Sequence, residues 1–153
     1  MGKLKNYAIK SSIMEIYIEL GDEVFKFNLN EELMISEQRI ESEIMTQSNS
    51  YAFLAMLHKK LIKATKDSEM ESSRVYSQQY LNWKQDIDPE TQKPYNNDQA
   101  KAYAEVSKKF QDAQKKWVEL QEKCNVLETC VRAFEMRKDL IQTLSANIRK
   151  TNN

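Results

Sequence analysis

The sequence predicts a mainly α-helical protein: a long antiparallel helical hairpin with a short N-terminal β-hairpin or extended segment, assembling into an oligomer. Three observations predict it. Tyr103, Val106, Phe110, Ala113, Trp117, Leu120, Cys124, Leu127, Val131 and Phe134 recur at alternating spacings of three and four, which is the seam of a helix packed against another helix. Only two Gly and two Pro occur in 153 residues while 30% are charged, a composition of long solvated helices rather than of a loop-rich sandwich or an α/β enzyme. The clear breaker cluster in mid-chain, Asp88-Pro89-Glu90 with Lys93-Pro94-Tyr95-Asn96-Asn97-Asp98, lies where two arms would reverse.

One domain is expected, opening on a loose basic start over residues 1–12 that carries Lys3, Lys5 and Lys10. Residues 13–29 change period. Ile16, Ile18 and Leu20 alternate with Tyr17 and Glu19, Gly21-Asp22 interrupts, and Phe25, Phe27 and Leu29 alternate with Lys26 and Asn28. A two-stranded ribbon is not stable alone, so it must rest on helices or on a neighbouring subunit.

The first long helix is expected over residues 30–86. Asn28 and Glu31 have the spacing of a capping box, and Asn30 is a competing cap. Ile40, Ile44, Tyr51, Leu54, Leu61 and Val75 keep a three-four spacing, but Gln47, His58, Thr65, Ser68 and Ser72 fall in the same seam. This helix is therefore less well sealed than the second, expected over residues 98–150 beyond a turn at 87–97. Folding about the middle of that turn sets residue i opposite roughly residue 184 − i.

Towards the termini the apolar surface exceeds one stripe. Residues Tyr51 to Leu57 are apolar all round, and Val126/Leu127, Cys130/Val131, Ala133/Phe134 and Leu140/Ile141 are adjacent pairs. Two helices bury one stripe each, so the surplus is expected to be covered by the β segment and by other copies of the chain.

Charge is balanced overall, 23 basic against 23 acidic residues, so no global field draws the protein to DNA or membrane. It is unevenly placed. Residues 11–45 hold nine acids against Lys26 and Arg39, whereas residues 46–66 hold Lys59, Lys60, Lys63 and Lys66 and no acid. Cys124 and Cys130 stand six apart on one helix, too far for a mutual bridge. They read as reduced thiols in a reducing compartment, Cys124 in the seam and costlier to replace than Cys130. With one His and no Cys-x-x-Cys, neither metal nor cofactor is expected. No signal peptide and no apolar run of membrane length appears, so a soluble, cytoplasmic protein without a membrane partner is expected.

No Gly-rich phosphate loop, Ser/His/Asp set or paired carboxylates are visible, and His58 lies at a seam position between Leu54 and Leu61. An enzyme is not expected. Lys59, Lys63 and Lys66 fall along one helix face, followed by Arg74, Tyr76, Tyr80, Trp83 and Lys84, where bases and aromatics interleave. Lys108-Lys109 and Lys115-Lys116 repeat seven apart on the second helix. Such mixtures hold single strands, lysines tracking phosphates while aromatic faces stack bases. The same residues also suit a solvated coiled-coil flank, with Tyr80 and Trp83 closing the hairpin tip.

The order of these features resembles the phage UvsY-type recombination mediators. The resemblance is carried by Val24-Phe25, the helix with Tyr51 and the Lys59 to Lys66 bases, Tyr80-Leu81-Asn82-Trp83-Lys84, and the closing Val131-Arg132-Ala133-Phe134-Glu135-Met136-Arg137 and Leu140-Ile141-Gln142-Thr143-Leu144 through Arg149. It spans most of residues 24–149. It implies a bacteriophage protein of the host-cell cytoplasm that binds single-stranded DNA and helps a RecA-like recombinase replace single-strand-binding protein. It also implies DNA contact by Lys59, Lys60, Lys63, Lys66, Arg74, Tyr76 and Tyr80, and ring assembly through Val131, Phe134, Leu140, Ile141, Leu144 and Ile148. Two departures stand out: Asn82 and Trp83 replace the glycine that often follows the aromatic stretch, and the N-terminal β-like segment is longer. A structural or prefoldin-like hairpin with no DNA role is the competing expectation.

Overall fold

The computed structural model describes residues 15–151. The basic start with Lys3, Lys5 and Lys10, and Ile13 at the head of the expected β segment, lie outside the described residues. The protein is mainly helical, with a two-stranded antiparallel sheet followed by long helices that pack against each other as a hairpin. Strands β1 (Glu15–Leu20) and β2 (Glu23–Asn28) precede α1 (Leu29–Leu33), α2 (Ile40–Gln85), α3 (Asn97–Val106) and α4 (Lys108–Thr151). Among the described residues no helix is long and apolar enough to cross a membrane.

The described residues form two compact units, one of residues 15–56 and 128–151, the other of residues 57–127. In the first unit the ribbon turns at Gly21-Asp22, and Gly21 has φ 61°. A two-residue hairpin with a positive φ at its first central position selects glycine there. The register pairs Ile16 with Phe27 and Ile18 with Phe25, placing four apolar side chains on one face. Ile16 and Ile18 are buried, and the Phe25 ring lies 5.8 Å from that of Phe53 on α2. The ribbon thus rests on a helix, as its size requires.

The Asn28 side chain caps α1, accepting from the backbone N–H of Asn30 at 3.0 Å and Glu31 at 3.4 Å. The expected continuous helix from residue 30 is nevertheless broken. At Met34 the backbone turns extended, with φ −58° and ψ 138°, and α2 begins only at Ile40 after a 3-10 turn over Glu37–Arg39. The reason lies on α4. Arg137 donates from Nε to the carbonyl of Leu33 at 3.2 Å and from Nη2 to that of Met34 at 2.8 Å, so carbonyls released by the break are satisfied by a buried guanidinium. The same group pairs with the Glu43 carboxylate and donates to Gln47 Oε1 at 2.6 Å, while Gln47 donates to the Phe134 carbonyl at 2.7 Å.

This network moves the seam of α4. Within the first unit the buried positions are Cys130, Phe134, Arg137 and Ile141, and Val131 is only half-buried. The sequence pattern assumed one partner helix; the linker at residues 33–34 covers a second flank. Cys130, not Cys124, is the dry cysteine. It is 1% exposed, and burial pushes its thiol up to about 11. Cys130→Ser is accordingly expected to cost about 1–3 kcal/mol, more than Cys124→Ser, because a hydroxyl there is desolvated with few partners; paired urea melts of the two variants check the order.

Phe134 and Ile141, expected at a subunit interface, are core residues of the first unit. Phe134 lines a cavity with Phe27, Phe53 and Leu54, which shows the ribbon already lies over that face. Of the six residues expected to drive assembly, Leu140 is exposed, while Val131, Leu144 and Ile148 are half-buried.

In the second unit the turn is tied by Asp88. Its carboxylate accepts from the N–H of Glu90 at 2.9 Å and the hydroxyl of Thr91 at 3.0 Å, and its N–H donates to the Lys93 carbonyl at 2.9 Å. Asn96 then starts α3 through a full capping box with Gln99. The second expected helix is also interrupted. Ser107 leaves the helical region (φ −64°, ψ 136°), and its hydroxyl accepts from the Phe110 N–H at 3.3 Å, so one serine ends α3 and caps α4.

Candidate nucleic-acid interface

Every residue expected to touch DNA lies in the second unit. Its core is built from Leu57 and Leu61 on α2, Ala100 and Ala104 on α3, and Leu127 on α4. With Leu57 and Leu61 inward, the 100° step of a helix turns Lys59, Lys63 and Lys66 outward, and all three are exposed, as is Lys60. Lys59, Lys63 and Lys66 have no ion-pair partner among the described residues. Three exposed lysine side chains therefore stand in a row on one helix face, with Met70, Ser73 and Ser77 continuing it.

Arg74 is different. Its Nε and Nη2 donate to the two carboxylate oxygens of Glu71 at 2.8 and 2.7 Å, and Nη1 reaches Gln78 Oε1 at 3.4 Å. The hydrogen bonds from Arg74 hold the Glu71 carboxyl below its usual value against desolvation, with the fields of Arg74 and Lys116 assisting. Arg74 adds little independent charge to the face. On α4, Lys115 stands 4.0 Å from Glu119, whereas the field of Lys116 reaches Glu71 across the helix pair.

The two tyrosines have structural duties. Tyr80 donates to Asn97 Oδ1 at 3.3 Å, tying the end of α2 to the start of α3. Beyond it, Trp83 stacks on Tyr103 at 4.6 Å and meets Tyr95 edge-on at 5.5 Å, while Lys84 Nζ donates to the Tyr95 carbonyl at 3.0 Å. Burial at this aromatic knot raises the Tyr95 phenol above its ordinary value, with nearby Asp88 adding to the shift. Trp83 thus closes the tip. Tyr76 packs edge-on against Phe110 at 5.2 Å, half-buried.

That contact forms part of a feature the sequence pattern concealed. Between α2 and the α3–α4 junction runs an open groove of about 640 Å³. Phe110 and Trp117, which read as plain seam positions, line it together with Tyr76. The groove exists because α2 carries Ser72 where a sealed seam would carry leucine, with only the small Ser73 and Ser77 flanking it on the exposed side, and because the helix on the other side is broken at Ser107. The cluster of small serines opposite two aromatics was the available signal.

Comparison of the chain with protein-family models, with curated proteins and with solved structures finds no match.

Proposed function

We propose that this protein is a non-enzymatic recombination mediator: it binds single-stranded DNA through the basic face of α2 and helps load a RecA-like recombinase in place of single-strand-binding protein. The observation that carries the DNA-binding part is the row Lys59, Lys63 and Lys66, exposed and without ion-pair partners among the described residues. Such charges attract phosphates at no cost in broken salt bridges. The recombinase-loading part rests on the sequence resemblance of residues 24–149 to UvsY-type mediators.

A homo-oligomer, in ring form, belongs to the same proposal. The first unit leaves Met136 and Leu140 69% and 58% exposed one helical turn apart on α4, and Phe53 and Met56 on α2 are exposed as well. Apolar side chains in such number call for a covering surface. Light scattering at micromolar concentration is expected to show a multimer, and Met136→Ser with Leu140→Ser smaller particles; a monomeric parent would remove assembly from the proposal.

The same exposed methionines favour a second reading, a prefoldin-like holder of unfolded chains, since flexible thioethers adapt to varied apolar partners. Fluorescence anisotropy with labelled oligo-dT at about 50 mM salt separates the two, because electrostatic contacts are strong there. Saturable binding supports the mediator. No binding, together with suppressed aggregation of an unfolded client, supports the holder.

A further inference from the structure

The groove of the second unit has chemistry that the lysine row lacks. Tyr76, Phe110 and Trp117 offer aromatic surface, and Ser73, Ser77 and Gln114 offer hydroxyl and amide groups. At about 640 Å³ it falls within the size range of clefts that hold small planar ligands. Two carboxylates, Glu69 and Glu105, also line it and would repel a phosphate.

Its position relative to the lysines is set by the helix. Lys59, Lys66 and Ser73 follow one another at seven-residue intervals, as do Lys63, Met70 and Ser77. Two lines of side chains therefore begin at the lysines and end on the wall of the groove, each step about 10 Å along α2 at 1.5 Å per residue. A strand whose phosphates follow the lysines is delivered to the aromatic groove.

We propose that this groove is a base-binding site, in which an unstacked nucleobase of single-stranded nucleic acid packs on Trp117 and Phe110 while the flanking phosphates remain on the lysine row. The inference rests on the proposed single-strand binding and adds a second mode of contact to it. Base stacking is largely indifferent to sequence, because every base has an aromatic face. Glu69 and Glu105 exclude the backbone and leave the base as the part that enters.

The test uses the full chain with Trp83→Phe, which leaves Trp117 as the sole tryptophan reporter. It is titrated with oligo-dT and with an abasic deoxyribose-phosphate oligomer of equal length, reading anisotropy and tryptophan emission together. The expected result is quenching of Trp117 by oligo-dT but not by the abasic oligomer, which binds roughly 5- to 100-fold more weakly with the same salt slope. A groove-filling variant, Ser73→Leu with Ser77→Leu at two exposed positions, is expected to abolish quenching and reduce oligo-dT affinity to the abasic level. Equal binding of both oligomers with unchanged emission overturns the base site and leaves phosphate binding standing. No binding of either oligomer overturns both.

Discussion

Arg137→Met is expected to lower the unfolding free energy by about 3–5 kcal/mol, the range found when one partner of a buried, hydrogen-bonded charge pair is removed. The Arg137 side chain is 6% exposed and that of Glu43 19%, so neither water nor salt replaces the lost contact cheaply. The substitution strands the Glu43 carboxylate, the Gln47 amide oxygen and the carbonyls of Leu33 and Met34 together. By contrast, the pairs Arg74–Glu71, Arg132–Glu128 and Lys115–Glu119 have side chains between 46% and 78% exposed, where each is worth about 0–1 kcal/mol.

The size of the effect separates two meanings of this network. Replacing Arg137, Glu43 and Gln47 together by Met, Leu and Leu should recover much of the loss, since an apolar substitute for a buried ion pair is often neutral. It would not restore the acceptance of the Leu33 and Met34 carbonyls, so the linker before α2 should exchange its amide protons faster in the triple variant. Chemical denaturation measures the first effect and hydrogen exchange the second. A loss below about 1 kcal/mol for Arg137→Met would mean that the guanidinium does not organise the first unit.

The second large effect concerns binding. Removing Lys59, Lys63 and Lys66 together as alanines is expected to weaken oligo-dT binding on the order of a hundredfold or more at about 50 mM salt, from three lost phosphate contacts at about 0.7 in the logarithmic salt slope each. The loss should be even across base sequences, because phosphate contacts carry no sequence information. Folding should be untouched. All three side chains are exposed on a helix whose buried face is held by Leu57 and Leu61, and alanine is the better helix former.

Much of this architecture was legible. The three-four spacing of α4, the alternation around Gly21-Asp22 and the Asn28 cap all act through neighbours a few residues away, which is where sequence patterns are informative. The register was legible as well: Tyr76 meets Phe110, and Trp83 meets Tyr103, within a few residues of the 184 − i rule. The breaks at residues 34–36 and at Ser107 were not. Neither contains Gly or Pro; the first is driven by Arg137, about a hundred residues distant, and the second by a single serine hydroxyl.

Arg137 itself reads as an ordinary solvated charge in an amphipathic pattern. Only the register points to it, since 184 − 137 falls on Gln47, a polar seam residue in need of a partner. Of the binding residues, the lysines were legible as an outward face because helical periodicity alone turns them away from Leu57 and Leu61, and their side chains are exposed. Arg74, Tyr76 and Tyr80 read as available from the same periodicity, yet Glu71, Phe110 and Asn97 engage them. Periodicity reports which way a side chain points, not which neighbour occupies it.

The most direct test of the account is a paired salt titration of oligo-dT binding by the parent chain and by the Lys59→Ala, Lys63→Ala, Lys66→Ala variant. If the parent neutralises about four phosphates, log K falls with log salt at a slope near −3, and the variant retains a slope near −1. Equal affinity and equal slope for the two proteins, or no binding by the parent at about 50 mM salt, would contradict it.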